Sequence, residues 1–273
     1  MALANYYKSS NSVLLKRIQQ LNAIFQEKNQ INIQDRENYK TACYLGFANI
    51  GNTCFINTIM ISIIHSKPIV DSLMDTKTYY NSIITENEFN LFNLLVSVVY
   101  TYYNEDTNQA SLNESMYLFV KTFFSTYRNQ FQLNSQEDAN YFLTTLLNFI
   151  DDVFGEIDTI TTFRSDNDYG LQKGIFIDQH FNMNIVNEFK CLNKNHKSIS
   201  SESQMMLLLD ILNCSNLEEA IDLYFKTVEL NDKENLFFCL HCNNYVLAEK
   251  CLKISSYPNI LIIYLKRFDS NVS

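Results

Sequence analysis

Tryptophan is absent from this chain of 273 residues, and glycine and proline are scarce at 5 and 2. So few sharp-turn formers favour long helices over turn-rich structure. No run of about 18 apolar residues occurs, so no membrane span is expected. Met1 to Ser12 lacks the charged-then-apolar pattern of a secretory signal. Basic residues are outnumbered, 21 Lys and Arg against 30 Asp and Glu, and the net charge is -9. A negative field of that sign repels a phosphate backbone, which makes nucleic acid a poor partner and suits a basic protein or peptide tail. Seven cysteines, an odd number spread thinly, argue against a disulfide scaffold. Reduced thiols in the cytoplasm or nucleus are the expected state. Repeats and low-complexity linkers are also missing.

What is present is core-forming material. Apolar residues make up 47% of the chain and aromatics 14%, which is too much for disorder. The length suits one large domain or two modest ones. Leu14, Ile18, Leu21 and Phe25 follow Ser12 at helical spacing and predict a peripheral helix. The apolar run Cys54 to Ile64 reads as a buried helix ending before Pro68, with its β-branched residues leaving a strand open. Phe89 to Tyr103 and Met116 to Tyr127 are further helices, and Asn134 or Ser135 is expected to cap the next, lined by Phe142, Leu143, Leu146, Leu147 and Ile150. After Gly174 the texture changes. Ile175 to Ile185, Met205 to Ile211, Val246 to Ile254 and the apolar run Ile260 to Leu265 predict strands, with a short acidic-start helix at Leu217 to Lys226. The expected class is α+β, helical first and strand-rich second.

Cys54 sits where a loop containing Gly46 and Gly51 meets the predicted helix. A nucleophilic thiol reacts as the thiolate, a form that the dipole and free N–H groups of a helix N-terminus favour. Gly51 lets the backbone approach a substrate closely. A buried structural cysteine is the alternative that any such residue carries. The string Gly46-Phe47-Ala48-Asn49-Ile50-Gly51-Asn52-Thr53-Cys54-Phe55-Ile56-Asn57 resembles the cysteine box of the ubiquitin-specific proteases, over twelve consecutive positions. Ile61 departs from it, standing where the family usually carries Gln. The resemblance implies that Cys54 is the attacking thiol and that the Asn49 amide donates to the oxyanion.

Further matches follow in family order. Gln136-Glu137-Asp138-Ala139-Asn140-Tyr141-Phe142-Leu143 resembles the second box, with Tyr141 in place of the family's Glu. It implies that Gln136 and Asp138 hold the extended, Arg-containing tail of ubiquitin, a role in which a carboxylate faces a guanidinium fork. Leu217 to Phe225 resembles the family's acidic helix, and Leu265-Lys266-Arg267-Phe268 its palm-strand signature. Cys239 and Cys242 have the spacing of one zinc knuckle. Cys191 fits the upstream knuckle, whose second position is Lys194, so His196 would complete a structural zinc site; a decayed site with free thiols is the other reading. Catalysis by this chemistry needs no cofactor.

The resemblance implies a papain-like arrangement of thumb, palm and fingers. An N-terminal helical extension over 1–43 would precede a protease domain over 44–273. That domain would divide into a helical thumb over 44–170 and fingers with a partial palm over 171–273. The implied partner is ubiquitin or a ubiquitinated protein. A cysteine protease also uses an imidazole base, and the chain has four histidines. His65 lies eleven residues past Cys54, roughly 16 Å along one helix. His180, His196 and His241 fall in the part resembling the fingers. The family's catalytic histidine follows the Leu265–Phe268 strand, so the palm is expected to be incomplete. The chain would then be either a truncated deubiquitinase or a ubiquitin-binding pseudo-protease.

Overall fold

The computed structural model describes residues 45–74, 86–104, 107–164, 175–232 and 235–267. The peripheral helix expected at Leu14 to Phe25 and Phe268 of the palm signature lie outside them. Two compact units divide between Ile175 and Phe176.

The first unit is helical. Its helices are α1 (Cys54–Ile64), α2 (Lys67–Met74), α3 (Glu86–Tyr103), α4 (Gln109–Thr126) and α5 (Ala139–Arg164). The apolar run after Thr53 is a helix rather than a strand, and it buries Phe55, Ile56, Met60, Ile63 and Ile64. Pro68 falls in the first turn of α2, where its missing N–H leaves no helical bond unmade. α4 starts earlier than its apolar pattern suggested, because Asn108 caps it by accepting the Ser111 N–H at 3.0 Å. The cap of α5 is neither Asn134 nor Ser135. Asp138 Oδ1 accepts the N–H groups of Asn140 and Tyr141 at 2.6 and 3.1 Å, and the carboxylate also suits the positive end of the helix dipole.

An aromatic cluster joins these helices. Phe123 of α4 lies 4.9 Å from the Phe142 ring and 5.2 Å from Phe131, and Phe142 meets Phe55 edge-on at 5.8 Å. The core therefore reaches the residue next to Cys54.

The second unit begins within α6 (Ile175–His180), which replaces the start of the strand expected from Ile175, and continues in β1 (Met183–Cys191). Then come β2 (Lys197–Gln204), β3 (Met206–Asp210), α7 (Leu217–Phe225), β4 (Val228–Leu230), β5 (Phe237–Cys239), β6 (Asn244–Val246), β7 (Ala248–Ser256) and β8 (Ile262–Lys266). The main sheet is antiparallel in the order β2-β1-β7-β4, while β3 and β8 form a parallel pair and β5 and β6 a hairpin. Met183, Ile185, Leu207, Leu209 and Ala220 form its core. β2 has no apolar alternation and is exposed almost throughout. It exists by pairing with β1 from Lys190/Lys197 to Met183/Gln204. β8 is half-buried rather than the fully buried strand its apolar run suggested. α7 is capped by Asn216, whose side chain accepts the Glu219 N–H at 2.8 Å.

His180 is buried among Phe176 and Phe181, with ring centroids 5.0 and 6.2 Å away. These surroundings give it a packing role. Burial lowers its pKa below 6.5. The unfolded chain therefore binds more protons below about pH 6.5, and the linked stability is present above that pH and lost as pH falls through it. The melting temperature is expected to drop between pH 7.5 and 5.5, as stability falls by at most about 1.36 kcal/mol per pH unit from this one group. His180→Phe, matched to its aromatic neighbours, should flatten that part of the pH profile in thermal melts.

Candidate active site

The loop before α1 is built by side chains that turn back on its own backbone. Asn57 Nδ2, one turn into α1, donates to the carbonyls of Phe47 and Ala48 at 3.3 and 3.2 Å. Two residues of α4 hold the other side: Gln109 Nε2 donates to the Gly46 carbonyl at 2.7 Å, and Asn113 Oδ1 accepts the Ala48 N–H at 3.3 Å. Within the loop, Asn49 Oδ1 accepts the Thr53 N–H at 3.0 Å. Cys54, first residue of α1, is exposed. The buried-cysteine alternative does not hold for this thiol.

Gly51 adopts φ +74, and a Cβ there would come 2.1 Å from Asn134 Oδ1. Asn52 follows at φ 58 and donates from Nδ2 to the Asn134 carbonyl at 2.6 Å. Only glycine takes the left-handed region without steric cost, and Asn tolerates it better than most. The turn thus latches onto the segment that leads to Gln136 and Asp138. The structure brings the two boxes together in this way, with Phe55 and Phe142 packed beneath them.

Gln136 and Asp138 are both exposed. Asp138 spends Oδ1 on the α5 cap, and its other carboxylate oxygen has no hydrogen-bond partner among the described residues. Tyr141 lays its ring on Phe131 at 4.9 Å and points its hydroxyl at Gln130 Oε1. His65 closes α1 with Nε2 3.0 Å from the Tyr102 hydroxyl, an interaction of packing. Gln109 and Asn113 were not singled out in the sequence, and Asn134 was expected only as a helix cap. Each acts across 63 to 82 residues of chain, and no local pattern marks such a partner.

In the second unit, Cys191, Cys239 and Cys242 place their sulfurs within 4.8 Å of one another, close enough to hold a metal ion. Cys191 ends β1, Cys239 ends β5 and Cys242 lies in the turn to β6, with the Cys242 N–H donating to the Cys239 carbonyl at 3.1 Å. The backbone N–H of Lys194, and then that of Asn193, hold the Cys191 thiol below its ordinary value. Burial, and then the neighbouring sulfurs, push Cys242 up to about 11. Three crowded thiols cannot all ionise without a cation between them. His196 Nδ1 lies 4.0 Å from Cys239 Sγ, and its ring is 4.3 Å from that of the exposed His241.

Residues 45–273 match the sequence model of the family described as ubiquitin carboxyl-terminal hydrolase, and the chain belongs to that family. Among its relatives is ubiquitin carboxyl-terminal hydrolase 36 of Drosophila virilis, 28% identical over 226 residues, covering 82% of this chain and 18% of the relative. Ubiquitin carboxyl-terminal hydrolase 4 of Arabidopsis thaliana is 26% identical over 248 residues, covering 82% of this chain and 65% of the relative. The chain thus spans less than a fifth of the length of the Drosophila relative. Similar folds include a SAGA Ubp8/Sgf11/Sus1/Sgf73 DUB module bound to monoubiquitin, with TM-score 0.70 and 22% identity over 85% of this chain and 49% of that one. The same module bound to ubiquitin aldehyde has TM-score 0.68 and 21% identity, with the same coverage. The α+β class and its ubiquitin-specific-protease fold are as the sequence led us to expect. No helix among the described residues is long and apolar enough to cross a membrane.

Proposed function

We propose that this protein is a deubiquitinating cysteine protease that hydrolyses peptide and isopeptide bonds after the C-terminal glycine of ubiquitin. The observation that carries the reading is an exposed thiol at the start of α1 beside a side-chain amide whose oxygen is already engaged. In this scheme Cys54 sulfur attacks the glycine carbonyl carbon, and Asn49 Nδ2 donates to the oxygen as it takes up negative charge. The C–N bond breaks, the amine leaves with a proton, and water then cleaves the thioester to a carboxylate. Gln136 and the unengaged oxygen of Asp138 hold the tail of ubiquitin before the scissile bond. A binding-only role has no specific observation in its favour.

Ubiquitin carrying a C-terminal aldehyde tests this reading. Saturating aldehyde is expected to protect Cys54, one thiol per chain, from alkylation by iodoacetamide, and to bind Cys54→Ala far more weakly. A folded wild-type chain whose Cys54 is not protected would overturn the assignment.

Cys191, Cys239, Cys242 and His196 are proposed as a structural zinc site that ties the β1–β2 turn to the β5–β6 turn. The donor set fits: sulfurs each about 2.3 Å from a tetrahedral ion stand about 3.8 Å apart, and Cys191 and Cys242 are 3.7 Å apart. Bound zinc would supply folding energy and take no part in the reaction. Near one zinc per chain is expected by elemental analysis, with weaker affinity in His196→Ala. At free zinc a hundredfold above Kd, the stabilisation should reach about 2.7 kcal/mol. A melting temperature indifferent to zinc and to chelator would count against the site. Seven thinly spread cysteines support a reducing compartment, cytoplasm or nucleus.

A further inference from the structure

Asn49 is held by a single residue, Thr53, through both of that residue's donors. The Thr53 amide donates to Asn49 Oδ1 at 3.0 Å, and its hydroxyl donates to the same oxygen at 3.3 Å. The hydroxyl in turn accepts the Ile50 N–H at 2.9 Å. A backbone N–H can only donate, so the Asn49 atom facing it must be the carbonyl oxygen. Its NH₂ group is therefore turned the other way, and among the described residues it meets no acceptor. Asn49 is exposed, whereas Thr53 is wholly buried at 0%.

Thr53 occupies the N-cap position of α1, where threonine is favoured because its oxygen can accept an N–H of the first turn. It makes no such bond. Its hydroxyl is committed backwards, to the loop and to Asn49, and the helix gives up a side-chain cap to allow it.

We propose that Thr53 is a positioning residue that presets the Asn49 amide toward the carbonyl oxygen attacked by Cys54. The inference rests on the reading of Cys54 and Asn49 given above. A donor stabilises developing charge best when it is oriented before the charge appears, since no reorganisation is then needed during the reaction. A free asparagine on an exposed loop would sample several rotamers. Thr53 removes that freedom from inside the fold without touching substrate.

Ubiquitin aldehyde again provides the test, because the addition creates the oxygen in question. The Cys54 thiolate, its proton given up to solvent, adds to the aldehyde carbon as the carbonyl π pair moves to oxygen, giving a tetrahedral hemithioacetal oxyanion. Iodoacetamide serves as the control, since it alkylates sulfur by displacing iodide and develops no oxyanion. Thr53→Val keeps the shape and removes the hydroxyl. It should weaken aldehyde binding by about tenfold, a fraction of the 10²–10³ range for deleting a donor outright. Alkylation of Cys54 should stay near the wild-type rate, and Thr53→Ser should restore binding. In an Asn49→Asp background the valine change should have almost no further effect, because its route of action is gone. Thr53→Ala carries the same test should the valine variant fold poorly. Wild-type aldehyde binding in Thr53→Val, or an equal loss in both backgrounds, would overturn the positioning role alone. A wild-type chain that forms no adduct overturns the underlying reading and this inference with it.

Discussion

Asn49→Asp is expected to weaken capture of ubiquitin aldehyde by about 10²–10³-fold, the range for loss of one oxyanion donor. Aspartate is the informative replacement because it retains what the fold uses and removes what the chemistry needs. One carboxylate oxygen can still accept from the Thr53 amide and hydroxyl, at positions now 3.0 and 3.3 Å from Oδ1. The other is an acceptor where the amide had two N–H donors, and it brings negative charge toward a forming oxyanion. Asn49→Ala would confuse the two effects. It strands a buried Thr53 N–H, which costs about 1–3 kcal/mol for an unsatisfied group. Aldehyde affinity measured beside the iodoacetamide rate at Cys54 separates them. A loss confined to the aldehyde is the expected result, and equal losses with both reagents would assign Asn49 to the scaffold.

Phe142→Ala should destabilise the helical unit by about 3–5 kcal/mol, as for other large-to-small changes of buried aromatics. Phe142 has no exposed surface and contacts the rings of Phe55, Phe123 and Phe131 at 5.8, 4.9 and 6.4 Å. Removing it opens a cavity under the first turn of α1, beside the residue that follows Cys54. The loss is large against a typical total stability of about 5–15 kcal/mol, so weakened Cys54 chemistry at 37 °C should accompany it. Phe142→Leu retains much of the volume and should cost considerably less. Urea unfolding checks this through the midpoint at constant m-value. An unchanged midpoint would mean that the cluster does not support α1.

Much of this architecture was legible in the linear pattern. The Cys54–Ile64 run, the Leu217 helix behind Asn216 and the apolar strands at Met206 and Ile262 are local signals, set by periodicity and by capping chemistry over a few residues. The departures share one cause. β2 reads Lys-Ser-Ile-Ser-Ser-Glu-Ser-Gln and has no strand pattern of its own. It is a strand because β1 offers it an unpaired edge, helped by Lys197 meeting Glu188 at 2.6 Å. Ile175 to His180 looked strand-like because β-branched and aromatic residues dominate it, yet those side chains supply one buried helical face through Phe176 and His180. Asp138 took the cap expected of Asn134 or Ser135, and Asn134 instead adopted φ 69 against Gly51. Turn chemistry allowed either use of that asparagine, and the approach of the Gly51 turn decided it.

From the residues alone came the α+β class, the family resemblance, Cys54 and Asn49 as a pair, and the thiols at 191, 239 and 242. Short spacings and a recurrent string are enough for Cys54 with Asn49 and for Cys239 with Cys242, whereas Cys191, 51 residues from Cys242, came through the family resemblance. Only the folded chain decided that the Cys54 thiol is open to solvent, that Asn134 latches one box to the other, and that Gln109 and Asn113 clamp the loop. It alone turned the Thr53 hydroxyl back toward Asn49. Contacts between residues 63 to 82 apart in sequence depend on how helices pack around a common aromatic core, and a one-dimensional pattern carries no record of that packing.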